Sequence, residues 1–164
     1  MKASAELGTN LQSILVDLIE LHLQGKQAHW SVVGHNFRDL HLQLDEIIDA
    51  ARAFSDELAE RMRAIDALPD GRSETVTKAT HLPPFPAGEV DTGSTVVLVT
   101  DRLAVTVDNI RAVHDAVDAE DPTSADILHG IIEKLEQFVW MVSAENRVPR
   151  KPSKKTPTRP AGRS

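Results

Sequence analysis

Apolar residues recur at intervals of three and four in four long stretches of the chain, and proline is absent from each stretch. Proline stands instead at 69, 83, 84, 86 and 122 and near the C-terminus, where it separates helices rather than breaking them. Leu11, Ile14, Leu15, Leu18, Ile19 and His22 set the first stripe. They predict a helix over about 9–33, with Thr9 and Gln12 at capping-box spacing. A second helix, about 36–66, opens with Asn36 as N-cap and Asp39 in its first turn. Val96, Val99, Leu103, Val107, Ile110, Val113 and Val117 predict a third, about 93–119. Its start, "STVVLVT", has strand propensity, but the unbroken period favours helix. The fourth, about 123–146, has Thr123 and Asp126 as its capping pair. Its stripe is Leu128, Ile131, Ile132, Leu135, Phe138, Val139 and Val142.

The turns at 34–35 and 120–122 are short, while the connection at about 67–92 is long. Such helices with short turns predict an all-α four-helix bundle. A long middle crossover is the ferritin-like arrangement. Residues 1–8 read as an N-terminal extension, 9–146 as the bundle and 147–164 as a tail.

On a helical wheel of about 100° per residue, Leu40, Leu44, Ile47, Ala51, Leu58, Met62 and Ile65 share one face of the second helix. His41, Asp45, Asp56 and Glu60 share another, roughly 140° away. These polar groups therefore point away from the chain's own core. His41 and Asp45 are i,i+4 neighbours, as are Asp56 and Glu60. The two pairs stand about 22 Å apart along a straight helix, too far for one metal ion bound at about 2 Å. A two-fold axis near residues 50–51 would bring the first pair of one chain beside the second pair of its mate. His29, near the end of the first helix, could add a nitrogen on the His41 side. Taken singly, Asp56 and Glu60 also read as solvated acids, and His41 as a surface or interface histidine.

Composition narrows the chemistry. The chain has no cysteine, so thiol catalysis and thiolate ligands are excluded. Any metal site uses His, Asp and Glu, which suit iron, manganese or zinc. No Glu-x-x-His occurs, so the di-iron centre inside the bundle of ordinary ferritins is not expected. His22 reads as an interior histidine, and Asp126 with His129 as an i,i+3 pair lacking a second half. The segment 11–23 is broken by Asp17, Glu20 and His22 and is too polar to span a membrane. The first ten residues lack an apolar core of a secretory signal, which predicts a cytoplasmic protein.

The net charge of −7 is unevenly distributed. Residues 147–164 hold Arg147, Arg150, Lys151, Lys154, Lys155, Arg159 and Arg163, with no acid. Of 18 Lys/Arg, the seven in the tail leave eleven in the body against 25 acids, a body charge near −14. Four prolines and almost no apolar residue predict a disordered tail.

The motifs "KQAHW", "GHNFRDLHLQLDE" and "DELAER" together resemble the Dps family, the ferritin-like DNA-binding proteins of starved cells, and its actinobacterial members in particular. "ERMRAIDALPDGR" resembles that family's passage into a crossover carrying a short extra helix, and "TSADILHGIIEKLEQFVW" its last helix. The resemblance spans about 9–146. It implies a hollow dodecamer that oxidises Fe(II), preferentially with hydrogen peroxide, stores a ferric mineral and protects DNA from oxidative damage. It implies iron ligands at His29, His41 and Asp45 of one subunit and Asp56 and Glu60 of its mate. Trp30 and Trp140 match the family's tryptophans near that site, where they either pack at an interface or intercept an oxidising equivalent. Asp115, Asp118, Glu120, Asp121 and Asp126 fall where the family forms an iron-entry pore, and they also read as an acidic turn. The basic tail predicts non-specific DNA binding and nucleoid association, with a solubilising terminus, or one folded onto the acidic shell, as its bland counterparts. Two other readings stand beside the ferroxidase: a nucleoid protein whose DNA binding is primary, and a helical oligomer without metal chemistry.

Overall fold

The computed structural model describes residues 2–149. Among the described residues are five helices and one two-residue parallel bridge: α1 Ala5–Ser31, β1 Val32–Val33, α2 Phe37–Ala64, α3 Ser73–Ala79, β2 Val90–Asp91, α4 Thr92–Glu120 and α5 Pro122–Ala144. α1 packs along α2 and α4 along α5, and contacts of α1 with α4 and of α2 with α5 close the bundle. The predicted all-α bundle with one long crossover is therefore present, and α3 is the short extra helix within the crossover. Leu11, Ile14 and Leu18 of α1 meet Leu44, Ile47 and Leu58 of α2, Leu103 and Ile110 of α4, and Leu128, Leu135 and Phe138 of α5 in a single buried cluster. Every residue assigned to the core face of α2 is buried.

The helix starts differ from the predicted ones. α1 begins at Ala5, so residues 5–8 are its first turn rather than part of an extension. Ser4 is the cap: its Oγ accepts from Leu7 N at 3.0 Å and donates to Glu120 Oε2 at 2.6 Å. Thr9 lies inside the helix and donates to Ala5 O. Gln12 does not close a capping box but makes two bonds of 2.8 Å with the Asp70 backbone, fixing the start of the crossover. Asn36 does hold the N-cap position of α2, in a left-handed conformation (φ 58) that asparagine tolerates. Its amide donates to Glu145 instead of accepting from α2. Thr123 and Asp126 lie within α5, which starts at Pro122 because proline's fixed φ suits the first helical position.

Buried polar anchors hold the crossover. Asp17 is fully buried and accepts from Thr80 Oγ1, from the backbone and ring of His81 and from Asn109 Nδ2. Arg102, 3% exposed, donates to Gln24 Oε1 and to the carbonyls of Leu98, Pro83 and Pro84. The bridge between β1 and β2 ties the α1–α2 turn to the entry of α4, with Val32 opposite Val90. The crossover helix α3 packs against α1.

Candidate functional site

The last turns of α1 and the first turns of α2 bring two imidazoles face to face. The rings of His29 and His41 stack with centroids 3.6 Å apart and planes inclined by 25°. His29 Nδ1 lies 3.1 Å from His41 O, and His41 Nδ1 lies 3.1 Å from His29 O. A carbonyl oxygen only accepts, so each Nδ1 carries a proton, and in the neutral ring the lone pair then lies on Nε2. Nε2 is the nitrogen a metal would take.

Asp45 stands one helical turn beyond His41. Its Oδ1 accepts from Lys26 Nζ at 2.9 Å and lies 3.2 Å from His29 Nδ1. The hydrogen bond from Lys26 holds the Asp45 carboxyl below the usual carboxylate range. It is therefore ionised at neutral pH and ready to bind a cation. His29, His41 and Asp45 each offer a ligand atom, and these atoms lie within 4.8 Å of one another. Among the described residues they are the one group of three that converges so closely.

Asp56 and Glu60 do not join them within the chain. Both are exposed, farther along α2. Asp56 lines an open groove of about 630 Å³ with Leu15, Ile19, Asp49, Arg52 and Pro69. Trp30 adjoins His29 and is 71% exposed. Trp140 is exposed on α5 beside Met141, which shares a second groove with Asp39, Leu42 and Glu46 at the start of α2.

The expected pore acids separate into two sets. Asp115, Asp118 and Asp126 are exposed. Asp121 is not available as a pore acid: it is 3% exposed, and Arg61 Nη2 donates to both its oxygens, at 2.8 and 2.7 Å. Burial opposes its ionisation, but the Ser124 hydroxyl and the Arg61 guanidinium prevail and hold its carboxyl below the usual range. Glu120 is likewise committed, accepting from Ser4 N and Ser4 Oγ. Of the seven tail cations, Arg147 is described and exposed, and the other six lie outside the described residues.

Sequence reasoning left Lys26 unassigned. Its position three residues before His29 on one helix placed it on the face of the site, and that spacing was the signal.

Residues 9–148 match the ferritin-like domain. DNA protection during starvation protein 2 of Deinococcus radiodurans is 33% identical over 82% of this chain and 56% of that protein, so the chain spans little more than half of that relative's length. The fine tangled pili major subunit of Haemophilus ducreyi is 34% identical over 82% of this chain and 71% of its own. The DNA protection during starvation protein of Mycolicibacterium smegmatis is 30% identical over 87% of this chain and 78% of its own. Among solved structures, Dps92 of Deinococcus radiodurans is similar with a TM-score of 0.82 at 32% identity, covering 85% of this chain and 84% of that one.

Proposed function

Because the chain belongs to the ferritin-like family, and within it to the Dps proteins, we propose that it oxidises Fe(II) at a site shared by two subunits and stores the ferric product in a hollow dodecamer. The observation that carries this reading is that His29, His41 and Asp45 each bring a ligand atom within 4.8 Å of the others. Asp56 and Glu60 of a two-fold mate complete the ligand set. Leu23, Trp30 and Leu42 expose apolar surface along α1 and the start of α2, as a face buried in an oligomer would.

Iron is the substrate. Exposed Asp115, Asp118 and Asp126 draw Fe(II) toward the shell. At the site Fe(II) takes the place of the Lys26 ammonium against Asp45. Hard carboxylate oxygens favour the higher charge, so they pull the couple toward Fe(III). Hydrogen peroxide accepts two electrons, one from each of two Fe(II). Its O–O bond breaks, two protons enter from solvent, and two waters leave. Pairing the electrons in this way avoids hydroxyl radical. Trp30, next to His29, intercepts a stray oxidising equivalent or packs against the mate. Ligands split between subunits hold Fe(III) loosely enough to pass it to a mineral. Peroxide is the preferred oxidant in this reading.

The basic tail is the second function. Its seven cations, repeated over the oligomer, bind DNA phosphates without sequence preference and place the protein at the cytoplasmic nucleoid. No helix of the described residues is long and apolar enough to cross a membrane. Two alternatives remain as outcomes of the test. One is a nucleoid protein in which DNA binding is primary. The other is a structural oligomer without metal chemistry, a use that the name of the pilus-subunit relative brings to mind.

The test is peroxide-driven oxidation of Fe(II) by the purified oligomer, with iron retained after gel filtration, beside an Asp56→Ala/Glu60→Ala variant. Loss of ligands should slow oxidation by more than the roughly 10–100-fold that outer partners of a metal contribute. Equal, slow rates in both proteins would reject the site.

A further inference from the structure

Glycine is a poor residue for a helix interior, because it adds no side chain to the packing and loses the most chain freedom on folding. Gly25 nonetheless stands inside α1, buried, four residues before His29. Four residues are about one turn, so Gly25 and His29 share a face of the helix. A methyl carbon at Gly25 would lie 3.1 Å from Ile48 Cγ1 and 4.0 Å from its Cδ1. Carbons pack at about 3.5–4.0 Å, so the first of these contacts is a clash. Ile48 has little room to give way: it is 5% exposed, and Cγ1 is the inner atom of its longer branch rather than the tip. Gly8 and Gly130, also in helices, do have room. A methyl at Gly8 would find Ala67 Cβ at 3.9 Å, and one at Gly130 would find nothing within 4 Å.

Ile48 sits three residues after Asp45 and seven after His41 on α2, so its contact with Gly25 lies within about two turns of the site. At the site the two helices must be close. His29 Nδ1 reaches the backbone carbonyl of His41, and His41 Nδ1 that of His29, both at 3.1 Å. The rings between them stack at 3.6 Å. A side chain that touches the opposite backbone tolerates little change in the distance between the helix axes. That distance is set by the size of the side chains at the contact.

We propose that Gly25 is a positioning residue of the metal site: its bare backbone against Ile48 seats α1 close enough to α2 for His29 and His41 to hold each other in register with Asp45. The inference rests on the iron-oxidising reading above and adds to it the feature that sets the width of the site. Gly25 itself touches no metal. A methyl there pushes α1 from α2 one turn before His29, and both Nδ1–carbonyl contacts lengthen together.

The full-length oligomer is titrated with Fe(II) under nitrogen as wild type, Gly25→Ala, Ile48→Ala, Gly25→Ala/Ile48→Ala and Gly130→Ala, with size exclusion and a thermal melt to follow assembly. Gly25→Ala should assemble yet bind Fe(II) about tenfold or more weakly, the scale on which residues that orient metal ligands act. Ile48→Ala removes the Cγ1 that clashes, so the double variant should bind as Ile48→Ala alone does, the methyl at 25 costing nothing in that background. Gly130→Ala should bind as wild type. A role in the fold alone predicts otherwise, since alanine favours the helix: Gly25→Ala would then melt no lower and bind Fe(II) unchanged. That outcome, a loss of the same size in the Ile48→Ala background, or a Gly25→Ala chain that fails to assemble overturns the proposal. A wild type with no saturable Fe(II) site rejects the iron reading itself, which keeps the two failures apart.

Discussion

The reciprocal bonds between His29 and His41 settle what those rings can do. Each Nδ1 faces the other residue's carbonyl, which fixes the orientation of both rings and leaves Nε2 as the nitrogen a metal would take. Lys26 is their rival for Asp45. With side chains 34% and 42% exposed, the Lys26–Asp45 pair is largely screened and worth about 0.2–1 kcal/mol. Under the proposed function Fe(II) displaces it, so Lys26→Met should tighten anaerobic Fe(II) binding by about 1.4-fold to fivefold. Equilibrium titration of Fe(II) under nitrogen reads this directly. Looser binding would mean that Lys26 orients Asp45 for the metal rather than guarding it. The outward face of α2 was legible because helical period and axial rise are fixed by the backbone. The role of Lys26 was not, because nothing in the spacing says which neighbouring charge a carboxylate will choose.

Helix ends were the least legible elements. Thr9 with Gln12 and Thr123 with Asp126 have capping-box spacing, yet other residues set each start, Ser4 for α1 and Pro122 for α5. Ser4 is held by Glu120, 116 residues away, and Gln12 is recruited by Asp70. Stripes of Leu, Ile and Val, by contrast, placed the helix bodies and the core face correctly, since burial rewards every turn of the period. The bridge between β1 and β2 is too short to leave a pattern. The junction of α4 and α5 carries a testable consequence. Asp121 stands at the N-cap position of α5, nearly buried and joined to Arg61 of α2 and to the Ser124 hydroxyl rather than to a cap amide. Its folded carboxyl lies below the ordinary value near 3.9, so the stability it adds is complete above that value. That stability is lost as the pH falls through the lower folded value. Asp121→Asn should therefore cost roughly 1–3 kcal/mol at pH 7 and progressively less in acid below about pH 4. Urea melts of both proteins from pH 7 to pH 2.5 measure the gap. A gap that stays constant with pH would assign the stabilisation to packing or hydrogen-bond geometry, not to the charge.

At the scale of the whole molecule, charge decides whether two functions coexist. A body near −14 per chain repels DNA, and an oligomer multiplies that repulsion. Under the proposed function the seven tail cations per chain are the groups that would meet DNA phosphates. Deleting 147–164 should abolish binding to duplex DNA of arbitrary sequence in gel-shift assays at low salt. The same deletion should leave peroxide-driven iron oxidation unchanged, since none of the five proposed iron ligands lies within it. For the intact protein, log K should fall with log salt at about −0.9 per phosphate neutralised, giving a slope of about −6 for a single fully engaged tail and a steeper one as several tails engage. A slope near zero, or undiminished binding by the truncated chain, would put DNA contact on the folded body, against its own charge. Loss of oxidation on truncation would mean that the tail serves the iron site and that the two functions are one.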